Sequence, residues 1–283
     1  MTTELALTHE GERGDLDRPP AAQVKRVLVC VDAAGIDTPA LQVAAGLALG
    51  LRATLAGLYV EDEQLLRVAA LPFTREVSLI SASARDFSID DLKRSQRAQA
   101  EHLRRMLAAL ADPLSLTWTL DIIQGKLQAA TYAQASADDL MVMGRPQFMP
   151  SQDRGTPAGS RHLHPSALAR HPVAVLYDGS QAGERALQAA LSLVRITGSE
   201  LVVLDAAENP AASPRREANL QHRVGVLRGR LHRVPAGDWP AAIRTAVAHG
   251  ATALVRPRSK DYEAATAGAD MLPALRCSLV LIP

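Results

Sequence analysis

The sequence predicts an α/β fold built as two tandem doubly wound domains with parallel sheets. Two apolar runs that each end in an acid, KRVLVCVD at 25–32 and HPVAVLYD at 171–178, begin two segments with the same order of elements. The runs are continuously apolar rather than alternating, as in strands of a parallel sheet that is covered on both faces. Helical patterns separate the strands, which favours β-α-β units over a sandwich or a barrel.

The first helix of each segment has the same apolar spacing. Counted from Asp32 and from Asp178, apolar residues recur at identical offsets, with the i, i+3, i+4, i+7 spacing of a helix packed on a sheet. These positions are Leu41, Ala44, Ala45 and Ala48 in the first segment and Leu187, Ala190, Leu191 and Val194 in the second. A second strand follows each helix, ATLAGLYV in the first segment and ELVVLDA in the second.

The second part of each segment also repeats. The run TWTLDIIQG ends at Gly125 and LHRVPAG ends at Gly237, and an Ala-Ala pair follows each glycine at the start of another helix. Those helices lead to the strands DLMVMG and TALVRP, which end at Gly144 and Pro257. The plan β-α-β-x-β-α-β is therefore present twice. Right-handed crossovers place the loops after a segment's strands at one edge, so we expect Asp32 and the loop after Gly144 to lie together.

These landmarks divide the chain into an N-terminal arm at 1–23, a first domain at 24–170 and a second domain at 171–283. The arm is polar and ends in two prolines, a composition typical of disordered segments. The first domain carries an insertion at about 61–91 that contains a helix, an apolar turn and an extended VSLI run. We interpret it either as a lid or dimer patch or as an ordinary excursion of a surface loop. The helix that follows has apolar residues at helical spacing, namely Leu103, Met106, Leu107 and Leu110.

The repeat leaves the first domain one strand short. The run PVAVLYD begins the second domain, yet it stands where the fifth strand of the first domain would be, and one run cannot serve two separate sheets. We expect the first domain either to lack a fifth strand or to recruit one, most simply the run SLVLIP at 278–283. Recruitment would lock the two domains together.

Composition and charge argue against several classes of partner and site. Aromatic residues make up 3% of the chain, few for stacking on bases, and the net charge is +1 with acidic and basic residues interleaved. Nucleic acid and membranes are therefore not expected partners, whereas a protein partner or self-association is. Cys30 and Cys277 lie in apolar runs and no signal peptide precedes them, which indicates a cytoplasmic protein without disulfides. The sequence has no Walker loop, no nucleophile elbow and no convincing set of metal ligands.

The order of these runs resembles the universal stress protein family in a tandem arrangement. The resemblance covers nearly everything from Val24 to Pro283, and its most specific part is the block from Gly125 to the run ADDLMVMGR. It implies a five-stranded parallel sheet in each domain, two domains packed as a pseudo-dimer, and a role in stress survival. One branch of the family binds a nucleotide and the other does not.

The nucleotide-binding branch has the pattern Gly-x2-Gly-x9-Gly-Ser/Thr after the fourth strand and an Asp at the end of the first. Here Gly144 matches the first glycine, Gln147 replaces the second, and Gly159-Ser160 follows two residues late. Glycines in such a loop let backbone N–H groups approach a phosphate, and Gln147 has a Cβ that keeps it further away. The resemblance implies an adenine nucleotide, such as ATP, as the candidate ligand of the first domain. The residues it assigns are Asp32, Ala33, Val60, Gly144, Arg145, Gly159 and Ser160.

Three functions stay open at this point. Our main prediction is a non-catalytic universal stress protein involved in stress response, whose first domain is the candidate nucleotide sensor. One alternative is a slow enzyme that hydrolyses ATP or transfers a nucleotidyl group, in which Asp32 positions a metal and Arg145 or Ser160 holds phosphates. The other is a protein-interaction scaffold without a ligand, in which the loop glycines serve only chain turning and Asp32, like Asp178, caps the turn after its strand.

Overall fold

A computed structural model of the protein describes residues 24–32, 35–71, 74–77, 84–86, 88–145, 164–207, 214–226, 229–258 and 276–283. The predicted N-terminal arm at 1–23 lies outside these ranges. The described residues form a large, mostly parallel sheet with helices on both faces. The predicted α/β class is therefore confirmed.

We call residues 24–170 the first repeat and residues 171–283 the second repeat. The described elements of the first repeat follow the predicted order, with additional short elements in the insertion. They are β1 (Arg26–Asp32), α1 (Thr38–Leu51), β2 (Thr54–Asp62), α2 (Glu63–Ala69), β3 (Arg75–Val77), β4 (Ala84–Asp86), α3 (Ile89–Ala111), a 3₁₀ turn (Asp112–Leu114), β5 (Trp118–Gly125), α4 (Leu127–Gln134) and β6 (Asp139–Met143).

The second repeat has the same order without the insertion. A 3₁₀ turn (Pro165–Arg170) precedes it, and its described elements are β7 (Val173–Tyr177), α5 (Gln181–Thr197), β8 (Leu201–Asp205), α6 (Pro214–Val226), β9 (Arg230–Arg233), α7 (Trp239–Ala248), β10 (Ala253–Pro257) and β11 (Ser278–Ile282).

The ends of α5 show why the chain is helical between them. The Ser180 side chain accepts a hydrogen bond from the backbone N–H of Gly183 at 2.9 Å, which satisfies one of the free donors of the first turn. At the other end Gly198 adopts a left-handed conformation with φ 73° and donates its N–H to the carbonyl of Val194. This glycine ends the helix because other residues reach that conformation only with strain.

The two repeats share one nine-stranded sheet rather than forming two separate sheets. Its strand order is β5-β2-β1-β6-β11-β10-β7-β8-β9. Each repeat contributes a parallel block, and the two blocks join where β6 pairs with β11 in antiparallel orientation. The carboxyl ends of the first repeat's strands therefore lie at the opposite sheet edge from those of the second repeat.

The pairing of β6 with β11 confirms that the first repeat recruits its missing strand from the SLVLIP run. Leu279 lies opposite Met143, and Leu281 lies opposite Met141. Every residue of both strands is buried. The physical reason is that β6 would otherwise expose unpaired backbone groups in the middle of an apolar surface.

Alternate side chains of the strands enter two separate cores. One core packs against α1, α3, α5 and α6, and the other packs against α4 and α7. Helices α1 and α5 come from different repeats and contact each other directly on the first face. A Cβ at Gly46 of α1 would lie 2.8 Å from a Leu193 methyl carbon of α5, so the glycine permits this close approach.

The insertion consists of α2, the β3–β4 hairpin and the start of α3. The hairpin is antiparallel, with Arg75 opposite Asp86 and Val77 opposite Ala84. Val68 of α2, together with Leu71 and Val77, is exposed to solvent. The predicted helix after Val60 and the beginning of the extended VSLI run are confirmed, and the role of the insertion as a lid or dimer patch stays a prediction.

Candidate functional site

Three of the predicted nucleotide-binding positions converge at one edge of the sheet. Asp32 ends β1 and lies in register with Val60 of β2. On the other side of β1, Cys30 lies in register with Met143, the residue before Gly144. The parallel register thus brings Asp32, Val60 and Gly144 to the same edge. Three further positions that the resemblance assigns lie outside the described residues, namely Ala33, Gly159 and Ser160.

Arg145, the next predicted position, contacts a carboxylate of the protein itself. Its backbone N–H donates to Asp37 Oδ2 at 2.9 Å, and its guanidinium donates to Asp37 Oδ1 at 3.0 Å. The Asp37 side chain is only 5% exposed, whereas that of Arg145 is 43% exposed. One buried carboxylate therefore takes a backbone donor and a side-chain donor where the sequence predicts a phosphate loop to begin.

Asp37 also explains why glycine stands at position 144. A Cβ added to Gly144 would lie 2.8 Å from the Asp37 Cβ and 3.2 Å from its Oδ2. A side chain at this position would push Asp37 away from Arg145. The close approach of Asp37, without any ligand, is thus sufficient to require a glycine here.

Sequence reasoning missed Asp37, although a signal was present. It stands directly before Thr38-Pro39, an arrangement typical of an N-cap residue at a helix start. It does occupy the N-cap position of α1, but its side chain makes no capping hydrogen bond and bonds to Arg145 instead. An N-cap residue that does not cap its own helix has its carboxylate available for another partner.

Cys277 lies beside this ion pair, at the start of the strand that joins the repeats. Burial raises the pKa of its thiol to about 12, the positive charge of Arg145 opposes the rise, and the negative charge of Asp37 adds to it. Cys30 is also buried, and its pKa is likewise raised to about 12 by burial. Both thiols are protonated at neutral pH and are poor nucleophiles.

In the second repeat, the loop between β7 and α5 forms a closed turn. The carboxylate of Asp178 accepts a hydrogen bond from the Ser180 N–H at 2.9 Å, and Ser180 in turn caps α5. A Cβ at Gly183 would clash with the Asp178 carboxylate. This confirms that Asp178 caps the turn after its strand.

Two basic residues at the carboxyl end of β10, Arg256 within the strand and Arg258 directly after it, contact aromatic rings. The Arg256 guanidinium lies 4.4 Å from the centroid of the Trp239 ring, and that of Arg258 lies 5.3 Å from the Tyr132 ring. Arg258 also donates to the carbonyl of Ser136 at 3.3 Å. Arg258 therefore links the second repeat to α4 and the loop after it in the first repeat.

Neither a metal cluster nor a membrane span is found in the part of the chain that the structure describes. No three His, Cys, Asp or Glu side chains of the described ranges lie close enough to hold a metal ion. His164 accepts a hydrogen bond from the Ser166 N–H at 3.2 Å and caps the 3₁₀ turn that follows. None of the described helices has the length and hydropathy needed to span a membrane.

Comparisons with known proteins give matches only among solved structures, since no family model and no curated protein matches the chain. A universal stress protein from Archaeoglobus fulgidus DSM 4304 is 13% identical over 92% of this chain and 98% of that one, with a TM-score of 0.47. A second universal stress protein from Archaeoglobus fulgidus is 18% identical over 41% and 96%, with a TM-score of 0.30. The cytoplasmic domain of a prokaryotic cation chloride cotransporter is 11% identical over 91% and 94%, with a TM-score of 0.38. At these TM-scores the similarities assign no role to any residue of this chain.

Proposed function

We propose that the protein is a non-catalytic stress-response regulator of the universal stress protein type, which acts in the cytoplasm through contacts with other proteins rather than through turnover of a nucleotide. The sequence resemblance from Val24 to Pro283 supports the family assignment. The duplicated strand order, with its two parallel blocks, is consistent with it.

The observation that carries the proposal is the hydrogen-bonded ion pair between Asp37 and Arg145. A phosphate that used the Arg145 backbone N–H or the same Nη2 donor would have to displace the Asp37 carboxylate, which is almost completely buried, and a phosphate at the other guanidinium donors would lie close to that negative charge. Removing one partner of a fully buried ion pair costs about 3–5 kcal/mol, and the cost here is about 3 kcal/mol at most because the Arg145 side chain is 43% exposed and screened by water. Since each 1.4 kcal/mol is a tenfold change in affinity, this competition weakens phosphate binding by up to roughly 10²-fold.

A thermal-unfolding titration with ATP, ADP and AMP, with and without magnesium, tests this proposal. We expect millimolar nucleotide to leave the midpoint of the wild-type chain unchanged. The variant Asp37→Ser keeps an N-cap residue for α1 and removes the competing carboxylate. If the carboxylate is the obstacle, this variant gains a nucleotide-dependent rise, which follows RT ln(1 + [L]/Kd).

The control is Asp178→Ser, which removes a carboxylate from the loop between β7 and α5 of the second repeat. That carboxylate bonds only to its own turn and to no arginine in the described part of the chain. We expect this variant to gain no response to nucleotide. A wild-type midpoint that rises at micromolar ATP would contradict the proposal, because Asp37 would then not compete with the ligand.

Nucleotide sensing by the first repeat is a second candidate function, favoured by the convergence of Asp32, Val60 and Gly144 at one edge. It predicts a rise in midpoint with ATP that the variant Asp32→Asn abolishes. An enzyme on the same fold would in addition release phosphate in a metal-dependent manner, again lost in Asp32→Asn. A phosphate-release assay on the wild-type chain and on Asp32→Asn distinguishes a nucleotide sensor from an enzyme.

A further inference from the structure

A cleft of about 240 Å³ lies at the sheet edge of the first repeat, away from the contact between Asp37 and Arg145. Its walls come from the ends of β2 and β5, from α2 of the insertion and from the first turns of α3. The lining residues are Glu61, Leu66, Lys93, Gln96, Arg97 and Gln124. The strand order places β1 between β2 and β6, so this cleft and the Arg145 loop are separate sites.

The amide group of Gln96 indicates that the cleft lacks one of its partners. Gln96 is 2% exposed, and its Nε2 has no hydrogen-bond acceptor among the described residues. Buried donors in proteins are almost always paired, because an unpaired one loses its bonds to water without replacement. A ligand with an acceptor group in the cleft would satisfy this amide.

The charges around the cleft define the ligand further. Lys93 and Arg97 lie one turn apart on α3, and neither has an ion-pair partner among the described residues. On the strand side, the Gln124 amide donates to Glu61 Oε2 at 3.1 Å and holds that carboxylate in place. A carboxylate accepts several hydrogen bonds, so Glu61 keeps capacity for another donor.

We propose that this cleft binds a small metabolite with one carboxylate and, close to it, an amino or hydroxyl group. The carboxylate is held by Lys93 and Arg97 together with the Gln96 amide, and the amino or hydroxyl group donates to Glu61. Two cations and one carboxylate in the lining thus complement a ligand that has an acceptor group at one end and a donor group beside it, whereas a phosphate would bring a second negative charge close to Glu61. The volume is below the roughly 300–1,000 Å³ of clefts that take drug-sized ligands.

The insertion forms part of this binding site and so has a role that does not depend on nucleotide binding. Leu66 of α2 forms an apolar wall of the cleft, and Glu61 lies at the end of β2, two residues before α2 begins. The second repeat lacks the corresponding segment. Only the first repeat is therefore equipped to bind this class of ligand among the described parts of the chain.

The first experiment is a thermal-unfolding and calorimetric titration of the full chain with L-serine, L-glutamine and L-lactate. Propionate, ethanolamine and inorganic phosphate serve as comparison ligands, because each lacks the carboxylate or the neighbouring donor. We expect saturable binding of at least one member of the first set and at least tenfold weaker binding of all three comparison ligands. Failure of the whole first set to bind, or equal binding of phosphate, would overturn the proposal.

Two variants test whether Arg97 and Gln96 bind the ligand. We expect Arg97→Gln to weaken binding at least tenfold, whereas Arg105→Gln, an exposed position of α3 that does not line the cleft, leaves it unchanged. We expect Gln96→Leu to abolish binding while the free chain unfolds at an equal or higher temperature, since it removes an unpaired buried amide. Unchanged binding in Gln96→Leu, or equal losses in the two arginine variants, would show that α3 does not hold the ligand.

Discussion

Removal of the Arg26 guanidinium is expected to destabilise the protein substantially. Arg26 begins β1 and donates from Nε to Asp139 Oδ1 at 3.2 Å, with a second contact from Nη2 to Oδ2. The Asp139 side chain at the start of β6 is 4% exposed. Burial alone would raise the pKa of Asp139, but the hydrogen bonds from Arg26 and from the Ser136 N–H outweigh it and hold this pKa below its ordinary value.

The variant Arg26→Met leaves this carboxylate buried without its cation. Such losses cost about 3–5 kcal/mol. We expect about 3 kcal/mol, the lower end, because the Ser136 N–H still donates to Asp139 at 2.7 Å and because Arg26 is 31% exposed, so that water reaches the site. At roughly 2–4 °C per kcal/mol for a chain of this size, the midpoint falls by about 6–12 °C. Urea unfolding at pH 7 measures the difference directly.

The pH dependence of this difference is a stronger test than its size. The folded pKa of Asp139 is lowered, so the pair stabilises the wild type above the unfolded pKa of about 3.9, and the contribution is lost as the pH falls through the folded pKa. The gap between wild type and Arg26→Met should therefore be largest at pH 7 and shrink in acid. The double variant with Asp139→Asn should recover more than half of the loss.

The neighbouring pair of Lys25 and Asp138 provides the control. These two side chains are 77% and 55% exposed and lie 3.4 Å apart. We expect Lys25→Met to cost less than about 1 kcal/mol, as exposed ion pairs do. Equal costs for Lys25→Met and Arg26→Met, or a gap that stays the same as the pH falls from 7 to well below 3.9, would refute the argument that burial of Asp139 sets the effect.

Three further predictions follow from the geometry of single residues. A Cβ at Gly57 of β2 would lie 2.5 Å from a Leu107 methyl carbon, so Gly57→Ala should cost about 1–3 kcal/mol in urea unfolding, and an unchanged midpoint would show that α3 shifts freely. Burial raises the pKa of Cys30 and of Cys277 to about 12, so a disulfide reagent at pH 8 should label them slowly until urea is added. Burial lowers the pKa of His232, so the unfolded state takes up a proton first and stability should fall below about pH 6.5, with a smaller fall in His232→Gln.

The sequence predicted the fold well where the pattern was long and repeated. Apolar positions at equal offsets identified α1 and α5, and the spacing of Leu103, Met106, Leu107 and Leu110 identified the buried face of α3. The missing strand of the first repeat could be inferred because the single run PVAVLYD stands at the position of two strands and cannot serve two separate sheets. Its antiparallel direction could not, because sequence patterns carry no sign for strand orientation.

The candidate site was predicted only at the strand ends. Asp32, Val60 and Gly144 were brought together by the parallel register, which the repeat plan implies. The partner of Arg145 was missed because Asp37 is more than a hundred residues away along the chain and has the signature of a helix cap. Gln96 was missed for a different reason: a glutamine is usually assigned to the solvent side of a helix, although its spacing of four residues from Leu92 and from Ala100 places it on the buried face of α3.

The shared strand has a consequence for how this protein is made. Translation completes β6 well before β11, and chains grow at about 5–20 residues per second. For several seconds or more the nascent first repeat carries an open strand edge that is apolar except for Asp139, the feature that most readily pairs with another chain. Expression conditions that crowd ribosomes on one message should thus promote aggregation, and a chaperone that covers β6 until β11 emerges should raise the yield of native protein.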